Sequence, residues 1–444
     1  MQKFQLKNIK IQLPCEPYHC VNDKYHQKDN VIELIFEWNP ECKEPLCPEC
    51  GGIQTKHCVR TISLHGPRIG LSRKSIWTVR YHVRKCTSCG KYHTDKIPFR
   101  FRRTSVTTEL ARLICDDLED AGTIRGVSKR YGLSWDIVKS VHKNALEDLK
   151  SMEDPPPRVD VAAVDEFAIE KGQKYATLVI NAKTKYPLFI AKGKSKEDFK
   201  PFFQLHRKEW YSSIKAFAMD QNAQYAAVVQ EELPKCAVVC DFFHLIMNYN
   251  EQVIDSIRKS LSRTAKRKGD DKLLSLLKGS KRLLCKNFGK GNSNAEIEAK
   301  EALNRIMNEN HDLDVCIHLR EELKALYNNS TTKEAMKDGW DAWCAKALAS
   351  QIPQLIRFVQ NKKKKEQEII NYGEYHVSSG VIEGCMNKIK VLKRVAYGFR
   401  DWDYFFNRIW WSFLPLDVKN SLYNKLWMKN MCTEESLKKE GYVA

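Results

Sequence analysis

The spacing of apolar positions divides the chain into blocks of different period. Residues 1–100 carry short alternating runs of β-prone residues, such as Ser75–Val83. From Thr107 to Lys150 apolar residues recur three or four apart, which predicts helices over Thr107–Asp120, Ile124–Tyr131 and Trp135–Leu149. Thr123 and Ser134 stand where they cap the second and third of these, and Gly132-Leu133 makes the turn between them. The run Pro155-Pro156-Pro157 cannot continue a helix and reads as a stiff linker.

Beyond the linker, buried strands are predicted over Val159–Val164, Tyr175–Ala182, Tyr186–Lys192, Ile214–Met219 and Cys236–Cys240. Helical stretches separate the last three. A three-stranded meander followed by helix, strand, helix and strand is the order of the RNase H-like fold, in which the first and fourth strands are neighbours. Residues 242–376 are almost wholly helical and strongly charged, and the block Lys362–Lys365 reads as a phosphate-facing or solvated helix surface. Helix returns over 379–427, where Trp402, Tyr404, Phe405, Phe406, Trp410 and Trp411 read first as core and second as a stacking surface for bases.

The 444 residues exceed one ordinary core, so two to four domains are expected. A hydrophobic share of 43% is that of a folded chain. Lys and Arg outnumber Asp and Glu by 74 to 55, a net charge of +19, which favours a polyanionic partner through counterion release. An anionic membrane surface would use the same charge, but no stretch approaches the ~20 apolar residues of a span. The amino terminus has no apolar signal core, so a cytoplasmic protein is expected, bacterial and nucleoid-associated when bound to DNA.

Eight of the 16 cysteines precede residue 90, a clustering that in a reducing compartment points to metal rather than disulfides. Cys47-Pro48-Glu49-Cys50-Gly51 and Cys86-Thr87-Ser88-Cys89-Gly90 are paired Cys-x-x-Cys knuckles. Each offers two thiolates from one tight turn, so Cys47, Cys50, Cys86 and Cys89 are expected to hold one structural Zn²⁺ as a zinc ribbon. A redox dithiol would be expected once, beside a βαβ unit, without a second copy. Cys42, His57, Cys58, His82 or His93 could replace one ligand, while Cys15 and Cys20 read as ordinary thiols. The helices after the ribbon have a helix-turn-helix layout, and Ser134, Asp136, Lys139 and Lys143 on the third could contact bases or phosphates.

Three acids stand out in the second half. Asp165 follows the first strand after the linker and Asp220 the fourth, so the fold order sets them side by side. Two carboxylates forced together repel unless cations bridge them, and a pair of Mg²⁺ (or Mn²⁺) ions roughly 3.5–4 Å apart does this while clamping a phosphodiester. Glu383 is the third candidate, on a helix where Val381, Cys385, Ile389 and Leu392 form an apolar stripe. Glu383, Asn387, Lys390 and Arg394 occupy another face, beside Lys393 and, further on, Arg400, all placed to meet DNA phosphates.

The chain is therefore read as a multidomain α/β protein. Residues 1–103 form a zinc-ribbon DNA-binding region and 104–153 a helix-turn-helix. Residues 154–249 begin an RNase H-like catalytic core with a mixed five-stranded sheet, 250–376 are a large all-α insertion, 377–427 complete the core with the Glu383 helix, and 428–444 are a tail.

Nearly the whole chain resembles the DDE transposases of the ISL-three group of bacterial insertion sequences. The resemblance rests on Val164–Ala168, Ala218–Asp220 with Tyr225, Cys240–His244, and Ile382–Gly384 running on through Asn387, Ile389-Lys390 and Lys393-Arg394 to Tyr397–Arg400. It implies that Asp165, Asp220 and Glu383 are the catalytic, metal-binding triad. It also implies that Asp241 and His244, an Asp-x-x-His element, position the active site or the DNA end. Asn181 departs from the Asp expected in the second strand, and Cys385 from the residues usual after Glu383. The implied reaction is hydrolysis at the terminal inverted repeats of an element, then attack of the freed 3′-hydroxyl on target DNA, without a covalent enzyme intermediate. Double-stranded DNA is the expected partner, a homodimer or higher synaptic assembly the expected state, and no small-molecule substrate is expected. Two other readings compete: a zinc-containing DNA-binding regulator, and an RNase H-like nuclease that cuts without joining.

Overall fold

The computed structural model describes residues 17–430 apart from 71–72, 120–121, 171–173, 221–222, 287–292, 378 and 397–398. Cys15, Asp120, Tyr397, Gly398 and the tail from residue 431 lie outside the described residues. The chain divides into two compact units: residues up to Asp154 with those from Leu392 onward, and Pro155–Val391. The division falls inside the helix Ser379–Val395 and groups residues from Leu392 onward with the amino-terminal ones, whereas the sequence assigns 377–427 to one block.

The first unit holds a five-stranded sheet. Strands β1 (Tyr18–His26), β2 (Val31–Trp38), β3 (Gln54–Ile69) and β4 (Arg73–Cys86) run in the order β1-β2-β4-β3, and β5 (Tyr92–Thr94) pairs with β4. In β2, Ile32, Leu34, Phe36 and Trp38 recur at period two and are all buried, which makes one face of the strand the core face. Phe36 stacks on Trp77 of β4 at 5.0 Å between ring centroids. The β3–β4 hairpin pairs from Ile69↔Arg73 at its tip to Gln54↔Cys86 at its open end, so the open end brings the two cysteine knuckles to one place.

Three helices follow: α1 (Thr108–Glu119), α2 (Ile124–Tyr131) and α3 (Trp135–Ser151). The predicted caps are made: Thr123 Oγ1 accepts from the Gly126 N–H and Ser134 Oγ from the Ile137 N–H. Gly132 ends α2 at φ +67°, a left-handed turn that glycine takes without strain. The helices Trp402–Phe413 and Leu416–Asn430 pack on α3. Tyr404, Phe405, Trp410 and Trp411 are buried there, as core and not as an exposed stacking surface.

The second unit holds another five-stranded sheet, ordered β10-β9-β6-β7-β8. Its strands are β6 (Val161–Glu170), β7 (Lys174–Asn181), β8 (Pro187–Lys192), β9 (Ala216–Met219) and β10 (Ala237–Cys240). The first three form an antiparallel meander, while β9 lies parallel to β6 and β10 parallel to β9, so the sheet is mixed. Strand β9 is buried at all four residues, as expected of a parallel strand covered on both faces. One boundary departs from expectation: β6 does not stop before Asp165 but runs on to Glu170, because β7 pairs with it beyond that point through Asp165↔Leu178 and Ala168↔Tyr175.

From Phe242 to Tyr375 the described chain is helical, around a core that includes Tyr249, Leu313, Cys316, Trp340, Trp343 and Phe358. It returns to the sheet at the helix Glu366–Ile370, which packs on β10, and Asn371 Nδ2 donates to the Val238 carbonyl at 2.9 Å. That contact covers the open edge of β10. Lys362 was expected on a solvated or phosphate-facing surface but is buried, its amine 5.5 Å from the Phe358 ring centre, because residues 358 and 362 share a helix face.

His142 of α3 is buried, and its Nδ1 lies 2.8 Å from the Tyr404 hydroxyl. Burial, with Arg408 adding repulsion, holds its imidazole well below the ordinary value. The unfolded chain takes up a proton at about pH 6.5 that the folded chain refuses, so stability is expected to fall as pH drops below that point. The slope reaches about 1.4 kcal/mol per pH unit. Urea unfolding of the wild type and of His142→Gln across that range should show a shallower acid slope in the variant. Equal slopes would remove His142 as the cause.

Candidate active site and metal centre

The strand register decides how the acids of the second unit meet. Asp220 follows Met219 at the end of β9 and Asp241 follows Cys240 at the end of β10, and Met219 and Cys240 are register partners. Asp220 and Asp241 therefore leave neighbouring parallel strands at one level. The pairing of β6 with β9 includes Ala163↔Ala218, so two residues further on Asp165 stands level with Asp220. Adjacent strands lie about 4.8 Å apart.

Asp241 is buried, and its carboxylate accepts the Phe243 N–H at 2.8 Å, capping the helix Phe242–Tyr249. Three residues on, the same helix delivers His244, whose Nδ1 lies 3.3 Å from Asp220 Oδ2. The Asp-x-x-His spacing thus has a local cause: one residue caps the helix and the other, one turn in, reaches back to the next strand. Burial alone would lower the His244 pKa, but Asp220, backed by Asp165 and Asp241, overrides it and raises the imidazole to about 9. Burial pushes the Asp165 carboxyl up to about 6 against the pull of His244. Asp241 is raised as well, again by burial first. The cluster thus sets three acids around one imidazole.

Glu383 is carried on a separate element. It lies on an exposed face of the helix Ser379–Val395, with no ion pair among the described residues. The buried face is Ile382, Cys385, Met386 and Ile389, while Val381 and Leu392 of the expected stripe are only partly covered. Among the described residues, only the cysteines Cys47, Cys50, Cys86 and Cys89 form a group of three or more His, Cys, Asp or Glu with all ligand atoms within 4.8 Å. The structure thus brings Asp165, Asp220, Asp241 and His244 together and does not bring Glu383 into contact with them.

Two neighbours escaped the sequence reading. Lys362, buried, has its ammonium pKa lowered by that burial while Asp220 pulls it back up. A phenylalanine four residues before it was the one local sign of an inward lysine. Thr177 of β7 bonds the buried Tyr225 hydroxyl at 2.8 Å. Asn181, where an Asp was expected, accepts the Lys183 and Thr184 N–H groups with its side-chain oxygen, a turn-forming role that needs no charge.

In the first unit, the four predicted cysteines converge at the open end of the β3–β4 hairpin. The sulfurs of Cys47 and Cys89 lie 3.7 Å apart and those of Cys50 and Cys86 3.5 Å apart. A tetrahedral zinc with bonds near 2.3 Å has ligand–ligand edges of about 3.8 Å, so the donor set fits that ion and leaves no open position. Gly51 and Gly90 both sit at φ +70°, the turn that closes each knuckle. The Cys86 thiol is drawn down to about 6 by the Cys89 N–H, which points at its sulfur. Of the five possible substitutes only His93 is close, with Nε2 3.5 Å from the Cys47 sulfur. His82 is instead bonded to Asp95 at 2.9 Å.

The candidate DNA contacts fall into two sets. Ser134 is occupied as the α3 cap, and Lys139 and Lys143 point at Asp401, with Nζ–Oδ2 distances of 3.0 and 2.9 Å. Burial would raise the Asp401 carboxyl, but Lys143, the Tyr404 N–H and Lys139 together draw it to about 2. Asn387, Lys390, Arg394 and Arg400 are exposed, and Lys393 is partly so.

A family model described as a transposase, of the DDE type and the ISL-three group, matches residues 162–409, more than half of the chain. The transposase for insertion sequence element IS1001 of Bordetella parapertussis is 29% identical over 385 residues, which cover 85% of this chain and 90% of that relative. The transposase for insertion sequence element IS1557 of Mycobacterium tuberculosis, from two strains, is 23% identical over 288 residues, 60% of this chain and 63% of the relative. Among the described residues no helix is long and apolar enough to cross a membrane.

Because Asp241 caps a helix as well as facing Asp220, its two roles separate by substitution. Asp241→Asn keeps an acceptor for the Phe243 N–H and is expected to retain stability, while Asp241→Ala loses about 1 kcal/mol in denaturant unfolding. Equal losses in both would mean that the charge, and not the cap, supports the fold.

Proposed function

The chain belongs to the ISL-three family of DDE transposases, and from that premise we propose that it binds the terminal inverted repeats of an insertion sequence, cuts there and joins the freed end to target DNA. The observation that carries this is the level placement of Asp165 and Asp220 on the adjacent parallel strands β6 and β9. Residues 1–103 and 104–153 serve as zinc ribbon and helix-turn-helix, reading the element's ends. Residues 154–249, with the part of the Glu383 helix up to Val391, form an RNase H-like core around the helical insertion 250–376. Bringing two ends together calls for a dimer or larger assembly.

The acid cluster suits divalent metal. Its donors are carboxylate oxygens, the ligands hard cations prefer. Bound there, two Mg²⁺ or Mn²⁺ ions would activate the attacking oxygen and stabilise charge on the phosphorus. Asp165 and Asp220 supply the paired ligands, and Glu383 the third from its helix. His244 holds Asp220 in place, and Asp241 acts through the helix it caps. Both are positioning residues. Lys390, Lys393, Arg394 and Arg400, with Asn387, meet the phosphate backbone. Water breaks the phosphodiester at the element's end and frees a 3′-hydroxyl. That hydroxyl then forms a new ester with a target phosphate, displacing the target's own 3′-oxygen.

A strand-transfer assay with terminal-repeat DNA and Mg²⁺ or Mn²⁺ tests this. Asp165→Asn, Asp220→Asn and Glu383→Gln are each expected to reduce cutting and joining on the order of a thousandfold while end binding persists. Turnover retained in any one would refute that residue's role. Binding without cutting in the wild type would favour a DNA-binding regulator, and cutting without joining a nuclease.

For the cysteine set, the purified chain is expected to carry one zinc ion per molecule by elemental analysis. Cys86→Ser should lose that ion and melt at a lower temperature. A zinc-free wild type of unchanged stability would refute a structural zinc.

A further inference from the structure

The helix-turn-helix reading expects Lys139 and Lys143 to face DNA, yet both are tied to Asp401. The start of α3 instead lines a concave site. A cavity of about 860 Å³ lies between α2, the first turn of α3 and residues 395–408, all within the first unit. Its size is in the range of sites that enclose small organic groups, roughly 300–1,000 Å³.

Two features of the lining select an occupant. Arg125, Lys129 and Arg400 line it, are exposed, and have no carboxylate partner among the described residues, while the one acid in the lining, Asp401, is already satisfied by Lys139 and Lys143. The free charge in the cavity is therefore positive and suits an anion. The second feature is aromatic. Trp135 is 47% exposed, unusual for so large an apolar side chain, and the Lys139 amine lies 5.5 Å from its ring centre. Phe399 is held beside it in the lining by stacking on Phe405, at 4.3 Å between ring centroids.

We propose that this cavity receives an unpaired nucleotide at the end of a bound DNA, its base against Trp135 and its phosphate among Arg125, Lys129 and Arg400. A stacked duplex keeps its base faces covered and presents a convex phosphate ridge, whereas a concave pocket with an aromatic wall and loose cations matches one base and one phosphate. The inference rests on the DNA function proposed above and adds to it the form of DNA recognised.

The test uses the full chain and two terminal-repeat duplexes, one blunt and one with a short unpaired thymidine overhang. Wild type is expected to bind the overhang duplex about tenfold more tightly than the blunt one. Trp135→Ala should erase that difference, whatever it does to blunt-duplex affinity, and Trp135→Phe should keep most of it. Trp135 is too exposed for its removal to unfold the unit, and a thermal melt checks this. Equal affinity for both duplexes in the wild type would overturn the pocket and leave the DNA function standing. Failure to bind either duplex would overturn both. Thymidine monophosphate that abolishes the overhang preference at concentrations near the duplex affinity would also overturn it, showing a site for free nucleotide.

Discussion

The parallel pairing of β9 against β6 is the constraint on which the carboxylate cluster depends. Both strands are short where they meet, pairing Val161 with Ala216, Ala162 with Phe217 and Ala163 with Ala218, and all four alanines are buried. A slip of one residue would turn Asp165 to the opposite face from Asp220. Register is guarded further at the edge, where the helix Glu366–Ile370 and Asn371 close β10. The helical region from Phe242 to Tyr375 thus does more than link two parts of the chain: its last turns finish the sheet that holds the acids.

Gathering acids in a partly buried place is unfavourable unless their charge is answered. In this protein the nearest answer is His244, which burial would keep neutral and which the surrounding carboxylates keep protonated. The same logic appears with softer atoms at the other centre. Four sulfurs at the open end of the β3–β4 hairpin lie within 4.8 Å of one another, and the glycine after each knuckle allows the turn that puts them there. Oxygen donors at strand ends and sulfur donors in turns call for different ions, and each set is built from the backbone geometry that suits it.

The first unit spends its lysines differently from a simple DNA-reading surface. Asp401 binds two of them and also caps the helix Trp402–Phe413, so one carboxylate secures the carboxy-terminal helix against α3. The arginines and lysine left without acidic partners among the described residues then surround a concavity instead of studding a convex helix. Charge pairing inside the unit has in effect decided which cations remain for a ligand.

Much of the local structure was legible in the residues. Period-two and period-3.6 patterns located the strands and helices, and Thr123, Ser134 and Gly132 marked the ends of α2 and α3, because caps and turns are short-range chemistry. The knuckles were legible for the same reason, and the strand order predicted that Asp165 and Asp220 would be neighbours. What needed the tertiary structure was every pairing between distant residues. Lys139 and Lys143 look like free cations until Asp401, more than 250 residues later, is brought against them, and Lys362 looks solvated until Phe358 carries it inward. His244 and Asp241 look like a separate pair until the strand register sets them beside Asp165 and Asp220. Periodicity tells which face of an element is buried, but partners across the fold are chosen by packing and by the charge that packing must neutralise, and neither leaves a trace in the spacing of residues along the chain.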